Sequence, residues 1–201
     1  MTRIVVPFRG GEGKQRLTGL GRNVHRAVVL AMLADVIAAV TEVGDGVVVT
    51  ADDDGRQLAR KAGAEVLDDP GGGQGVAVAA ALRGPPAGPA LVVNADVPCV
   101  RPEDLGALLA AIPLEGIALV PSADGRTNAL GFAQPQLFEP LYGPRSAERF
   151  ARAARARGLE SVTVEIPNLA DDVDTVADLE RVRLRAGPHT RDALQGARLA
   201  S

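Results

Sequence analysis

The sequence predicts an α/β sandwich, a mostly parallel central sheet covered by helices on both faces. Three observations predict it. Short runs rich in Val, Ile and Leu read as continuously apolar strands, the pattern of strands buried on both faces. Between them lie segments whose apolar residues recur at helical spacing, so strand and helix alternate. The 23 Gly and 14 Pro fall between these apolar segments rather than through polar sequence, so they punctuate a fold instead of signalling disorder.

Arg3 to Phe8 (RIVVPF) is a β-branched strand that runs into a Gly-rich, charged turn from Arg9 to Leu17. A long helix follows from Arg22 to about Val43, with Val24, Val28, Leu30, Leu33, Ile37 and Val40 at helical spacing and Gly44 as its stop. Val47 to Thr50 reads as a strand, Asp53 to Ala62 as a short helix ended by Gly63, and Glu65 to Leu67 as a third strand before the turn DDPGGGQG. Val76 to Leu82 is helical, Leu91 to Asn94 a strand, Pro102 to Ala111 a helix with Pro102 in its first turn, and Ile117 to Val120 a strand. Beyond Ala123 the pattern loosens into a Gly- and Asn-containing loop, a strand at Leu130 to Phe132, and an Arg- and Ala-rich helix from Ser146 to Arg157. Val162 to Ile166 alternates as a strand, DDVDT turns, and Thr175 caps a last helix to about Arg185. One domain over residues 1–186 is expected, followed by a tail from Gly187 to Ser201 that has few apolar residues and is expected to fray.

Composition narrows the function classes. The chain has 201 residues, 46% of them apolar, enough to bury a core without disulfide or metal staples. Its 22 Lys and Arg against 25 Asp and Glu leave no basic surplus, and aromatic residues make up 2%, which argues against nucleic-acid binding by phosphate attraction and stacking. One Cys excludes an internal disulfide framework and any cysteine-rich zinc site. No apolar run is read as approaching the roughly 20 residues of a bilayer span, and the N-terminus lacks a secretion signal, so no membrane partner and a cytoplasmic location are expected.

Ligands of open α/β sheets sit at the carboxyl ends of the strands, so the turn after the first strand is the first place to look for chemistry. It reads RGGEGKQRL. A Walker loop fails, because Phe8 and Gln15 stand where Gly and Ser or Thr are required, and a dinucleotide fingerprint from Gly11 and Gly13 fails at Arg16. What survives is a loop whose backbone N–H groups and two cations, Lys14 and Arg16, can wrap a polyphosphate; a solvated turn fits as well. In VVNADVP, Asp96 stands just past a strand end, and Asp171, Asp172 and Asp174 follow a later strand. Such carboxylates suit Mg²⁺, which takes one or two of them alongside substrate phosphates. Capping serves as the alternative: Asp96 closing the turn before Pro98, and Asp174 favouring the dipole of the last helix.

RIVVPF, GKQRL, DDPGGG, VVNADVP, GRTNAL, YGPRS and DDVDTVADL occur in the order seen in one family. Over about residues 3 to 185 the chain resembles the phospholactate and phosphoenolpyruvate guanylyltransferases of deazaflavin (F-420) coenzyme biosynthesis, within the MobA-like nucleotidyltransferases. The resemblance implies the nucleotide-diphospho-sugar transferase form of the Rossmann-like three-layer sandwich. It implies an enzyme that transfers GMP from GTP to phosphoenolpyruvate or 2-phospho-L-lactate with Mg²⁺, releases pyrophosphate, and can form a homodimer. By motif, Lys14, Arg16 and Asp96 match catalytic positions; Gly11, Gly13, Lys14, Gly73 and Gln74 match the nucleotide contacts. Asp96, Asp172 and Asp174 match the metal-binding acids, and Thr127, Asn128, Gly143 and Ser146 match the acceptor cradle. The first loop is about one residue shorter than the family pattern, and Arg9 stands where Lys is common. Gln74-Gly75 replaces the usual Leu-Asn where such folds meet the base, and Arg145 replaces a small residue beside the cradle. The same fold with a molybdopterin or sugar-phosphate acceptor, or a nucleotide-binding module without turnover, are the competing readings.

The remaining reactive types read as structural. His25 lies on the first helix and His189 in the tail, with no ligand spacing between them; Cys99 reads as a small buried hydrophobe. Arg149, Arg152, Arg155 and Arg157 form a solvated helix face, with the first two close enough to Ser146 to aid an anionic acceptor, and Asp52 to Asp54 suit a helix N-terminus.

Overall fold

A computed structural model describes residues 2–10, 17, 20–83 and 88–199. Seven strands form one sheet in the order β3-β2-β1-β4-β6-β5-β7: β1 (Arg3–Phe8), β2 (Asp45–Thr50), β3 (Glu65–Asp68), β4 (Ala90–Val93), β5 (Gly116–Pro121), β6 (Thr127–Phe132) and β7 (Glu160–Thr163). All neighbours run parallel except β6, which is antiparallel to both β4 and β5. The helices are α1 (Arg22–Val43), α2 (Asp53–Lys61), α3 (Gln74–Ala81), α4 (Pro102–Ala110), α5 (Ser146–Ala156), α6 (Pro167–Ala170), α7 (Val176–Val182) and α8 (Pro188–Leu199).

Strand alternation divides the core between two faces. Ile4, Val6 and Leu91 point into a cluster with α1, α4 and α7, whereas Val5, Val92 and Leu130 point into a second cluster with α3 and α5. Both faces are covered, which is why the strands carry apolar residues without interruption. The chain leaves β1 toward β2 and β3 on one side, then returns to β4 on the other. The carboxyl ends of β1 and β4 therefore diverge at a topological switch point.

Several boundaries differ from the sequence expectation. Helix α3 begins two residues early, at Gln74, because Gly73 at φ 97° supplies the cap. Strand β6 begins at Thr127 rather than Leu130, so Thr127 and Asn128 are ladder residues, and β7 ends at Thr163, before Pro167 opens α6. Although Arg26, Asp35 and Glu42 interrupt its apolar residues, Asn23–Val43 is long and apolar enough to cross a membrane by length and composition, with a mean hydropathy of 1.8. Here it is a core helix, with Val28, Met32, Leu33 and Ile37 almost wholly buried against sheet and helices.

The segment expected to fray is helix α8, docked on α1. Asp35, buried within α1, accepts hydrogen bonds from the backbone N–H groups of His189 (3.0 Å) and Thr190 (2.9 Å), and so caps a helix far away in sequence. Gly187 leads in because a Cβ there would collide with that carboxylate. Low local hydrophobicity misreads this tail, since its anchor lies 154 residues upstream. Asp35→Ala, which leaves both N–H groups without a partner, is expected to lower stability by about 1 to 2 kcal/mol in urea unfolding. A loss below about 0.5 kcal/mol would show that the cap does not hold α8.

Candidate active site

A cleft of about 300 Å³ opens at the switch point, walled by the ends of β1 and β4, the start of β6, and the segments leading into α5 and α7. At β1, Phe8 packs over Gly55, where a Cβ would lie 2.7 Å from the ring. Gly10 then turns with φ 72° against Asp52. Asp52 itself caps α2 through Gly55 N–H (2.8 Å) and pairs with Arg26, which also binds Asp54, so this acidic run is structural.

Past β4, Asn94, Ala95 and Asp96 line the cleft, and the Asp96 carbonyl accepts the backbone N–H of Val173 at 2.9 Å. Val173 is fully buried, so it pins the acidic segment to the end of β4 while its neighbours stay accessible. One carboxylate oxygen from each of Asp96, Asp172 and Asp174 lies within 4.8 Å of the others. Three half-exposed hard oxygen donors at this spacing fit a divalent cation such as Mg²⁺. Asp171 does not join them. It pairs with Arg185 and, at 3.7 Å, with Arg181, turning the first acid of DDVD into an anchor.

A second anchor is Asp178, whose carboxylate accepts from the backbone N–H of Asp174 (3.2 Å) and Thr175 (2.9 Å) and pairs with Arg181 at 2.6 Å. Desolvation pushes its acidity one way, but the hydrogen bonds from Thr175, Arg181 and the two backbone groups outweigh it and hold the carboxyl below its ordinary range.

The opposite wall has a neutral, deeply buried centre in Thr127, Asn128 and Ser146, with exposed Arg126 at its edge. Thr127 Oγ1 and Ser146 Oγ lie 3.0 Å apart, with Thr127 2% exposed and Ser146 wholly enclosed at the first turn of α5. Gly143, at φ 123°, makes the turn into α5 and accepts the Ser146 N–H. Behind the wall, Phe132, Phe138, Tyr142 and Phe150 pack edge to face or tilted, with centroids 5.3 to 6.4 Å apart. Four of the five aromatic residues thus stiffen this one wall. Asn128 joins the two sides: its Nδ2 donates to Asp172 Oδ1 (3.2 Å) and to the Ala170 carbonyl (3.1 Å).

A profile of the MobA-like NTP transferase domain matches residues 10–171. The chain belongs to this family. It is 39% identical to a phosphoenolpyruvate guanylyltransferase of Nocardia farcinica, over 96% of this chain and 89% of the relative. It is 33% identical to a 3-phospho-D-glycerate guanylyltransferase of Phenylobacterium zucineum, over 96% and 95%. Among solved structures, a putative nucleotide-diphospho-sugar transferase from Desulfovibrio desulfuricans superposes with a TM-score of 0.79 at 17% identity, covering 98% of this chain and 95% of that one. The fold is therefore that of the nucleotidyltransferases, and the protein is an enzyme of that class.

In this nucleotidyltransferase the structure brings Asp96, Asp172, Asp174, Thr127, Asn128, Gly143, Ser146 and Gln74 to one cleft. Gly73 serves as the cap of α3 rather than as a lining residue. Gly11, Gly13, Lys14 and Arg16 lie outside the described residues. Arg145 leaves the cradle open: it adopts the left-handed conformation (φ 52°) and sends its exposed side chain to Glu148. Arg126 and Asn94 line the cleft and went unmarked in sequence. Asn94 sits within the strand-end motif, two residues before Asp96, and that spacing was the available signal. Cys99 is buried, and burial pushes its thiol up to about 11, so it is no nucleophile.

Asp178 supplies a pH test. Its folded-state acidity is enhanced, so its contribution to stability is present above the unfolded pKa of about 3.9 and is lost as pH falls through the lower folded value. Asp178→Asn is expected to be less stable than the parent near neutral pH, with the gap closing below about pH 4 in acid titrations followed by circular dichroism. A gap independent of pH would contradict the assignment.

Proposed function

We propose that the protein is a Mg²⁺-dependent guanylyltransferase that transfers GMP from GTP to the phosphate of a three-carbon acid, phosphoenolpyruvate or 2-phospho-L-lactate, releasing pyrophosphate, as in deazaflavin (F-420) coenzyme biosynthesis. The observation that carries it is one cleft in which a carboxylate triad faces a buried, neutral, hydroxyl- and amide-lined cradle across the start of β6. The names of the guanylyltransferase relatives support it, and their acceptors share a three-carbon skeleton bearing phosphate and carboxylate.

Asp96, Asp172 and Asp174 would hold the cation, which when bound neutralises phosphate charge. Lys14 and Arg16, with the backbone of Gly11 and Gly13, would wrap the triphosphate from the loop after β1. Thr127, Asn128, Gly143 and Ser146 would seat the acceptor at the N-terminus of α5, where the helix dipole favours an anion, with Arg126 at its edge. An acceptor phosphate oxygen attacks the α-phosphorus, the bond to the bridging oxygen breaks, and pyrophosphate leaves with the electron pair. A phosphate dianion needs no general base, which agrees with a cleft whose described lining holds no His or Cys. Catalysis then rests on positioning and charge stabilisation.

The test is a matrix of GTP, ATP, CTP and UTP against phosphoenolpyruvate, 2-phospho-L-lactate, 3-phospho-D-glycerate and a sugar phosphate, read as pyrophosphate release under Mg²⁺. GTP with one or both of the first two acceptors is expected to give turnover. Asp96→Asn and Asp174→Asn should each lower kcat by about 100-fold or more while leaving the circular dichroism spectrum intact. Turnover with 3-phospho-D-glycerate alone would move the assignment to that acceptor. No pyrophosphate with any pair would overturn it.

A further inference from the structure

We infer that Gln74 is a positioning residue that sets the metal-binding carboxylate Asp172 through a directed chain of amide hydrogen bonds. The inference rests on the proposed metal role of the triad. Gln74 Nε2 donates to Asn94 Oδ1 at 2.7 Å. Asn94 Nδ2 donates to the Thr127 carbonyl (3.2 Å) and to Asn128 Oδ1 (3.4 Å). Asn128 Nδ2 donates to the Ala170 carbonyl (3.1 Å) and to Asp172 Oδ1 (3.2 Å). Three side-chain amides thus connect the first residue of α3 to a carboxylate across the floor of the cleft.

The direction of this chain is fixed from its far end. An ionised carboxylate and a backbone carbonyl can only accept, so Asn128 must turn its NH₂ toward Asp172 and Ala170. Its oxygen then faces Asn94. Asn94 in turn must present NH₂ to that oxygen and to the Thr127 carbonyl, which leaves its own oxygen toward Gln74. Position 74 therefore has to donate. The amide of Gln meets that requirement, and a Leu there would leave Asn94 Oδ1 without this donor. Asn128 is 2% exposed, so water does not readily enter the link nearest the carboxylate, whereas Gln74 and Asn94 are half-buried where they line the cleft.

The backbone holds the relay at its middle and at its α3 end. Asn94 N–H donates to the Asn128 carbonyl at 2.9 Å, fixing the two amides across the β4–β6 ladder. Gly75 lets α3 approach the cradle segment so closely that a Cβ would sit 2.6 Å from Pro140 Cβ. The Gln74-Gly75 pair thus works as a unit: Gly75 brings the helix end in, and Gln74 reaches Asn94 from it. A residue orienting a ligand through intermediates typically changes metal affinity less than one bonded directly to the ligand, for which losses of about 10- to 100-fold are usual.

The test is Mn²⁺ binding by the full chain without nucleotide or acceptor, followed by electron paramagnetic resonance of free Mn²⁺, for the parent, Gln74→Leu, Asn94→Leu and the double variant, with thermal melts alongside. The expected result is a Kd raised about 3- to 10-fold by Gln74→Leu, with a melting temperature close to the parent's. Because the residues act in series, adding Gln74→Leu to Asn94→Leu is expected to leave the Kd unchanged. Parent protein that binds Mn²⁺ together with a Gln74→Leu variant of equal affinity would overturn the relay, as would additive effects in the double variant. Parent protein that fails to bind Mn²⁺ would instead bring down the metal reading of the triad and the relay with it. Should Asn94→Leu fail to fold, the comparison of Gln74→Leu with the parent decides.

Discussion

The reversal of one strand is the constraint on which the cleft depends. In a wholly parallel sheet, the residues that begin a strand lie at the edge opposite the catalytic one. Strand β6 is inserted antiparallel between β4 and β5, so its first residues, Thr127 and Asn128, reach the same edge as the carboxyl ends of β1 and β4. The reversal needs only a tight turn. Asp124 accepts hydrogen bonds from Ser122 Oγ and the Arg126 N–H, and Gly125 at φ 80° completes the bend. A buried Asn at the head of β6 can then touch the acid loop on one side and Asn94 on the other.

The same economy governs the acids. Three carboxylates close together repel, and their convergence requires that the backbone bearing them be held by something else. Val173 supplies the apolar anchor and its N–H the backbone link to Asp96; Arg181 and Arg185 grip Asp171, and Asp178 grips the N–H of Asp174. Four consecutive residues thus do three jobs. Two of the three acids, Asp172 and Asp174, ride on a clamped segment between α6 and α7, and its backbone link to Asp96 ties them to the end of β4.

Much of this was legible in the sequence because it depends on local signals. Apolar runs identified the strands, and strand-end position singled out Asp96 without reference to any partner. Thr175 announced its cap through residue type. The helix at Pro188 was not legible, since its cap is Asp35 in α1 and no local pattern carries a contact that distant. The division of labour within DDVD came only from the resemblance, which implies Asp172 and Asp174 as ligands and leaves out Asp171; no local chemical signal separates them. Asp171 and Asp172 are adjacent and chemically identical, and only the positions of Arg181 and Arg185 decide which one becomes an anchor. Asn94 was passed over because an amide beside a carboxylate looks incidental until β6 is known to run backwards.

The two walls of the cleft differ in origin and in how freely they can change. The wall bearing β1, β4 and Asp96 belongs to the sheet's central strands, whose side chains are locked into both core clusters. The cradle wall is carried by β6, the following loop and α5, and beyond β6 it is stiffened from behind by aromatic packing. A change of acceptor is therefore cheapest at a residue such as Arg126, which borders the cleft on a turn without being core, whereas Gly143 at φ 123° resists any side chain. Gln74 lies between these regimes. It sits on a short helix whose end packs against the cradle segment through Gly75, yet its amide leads back to the acids. On the relay inferred above, an exchange at this position reaches the charged half of the site from the neutral half, through the first residue of α3 rather than through a ligand contact.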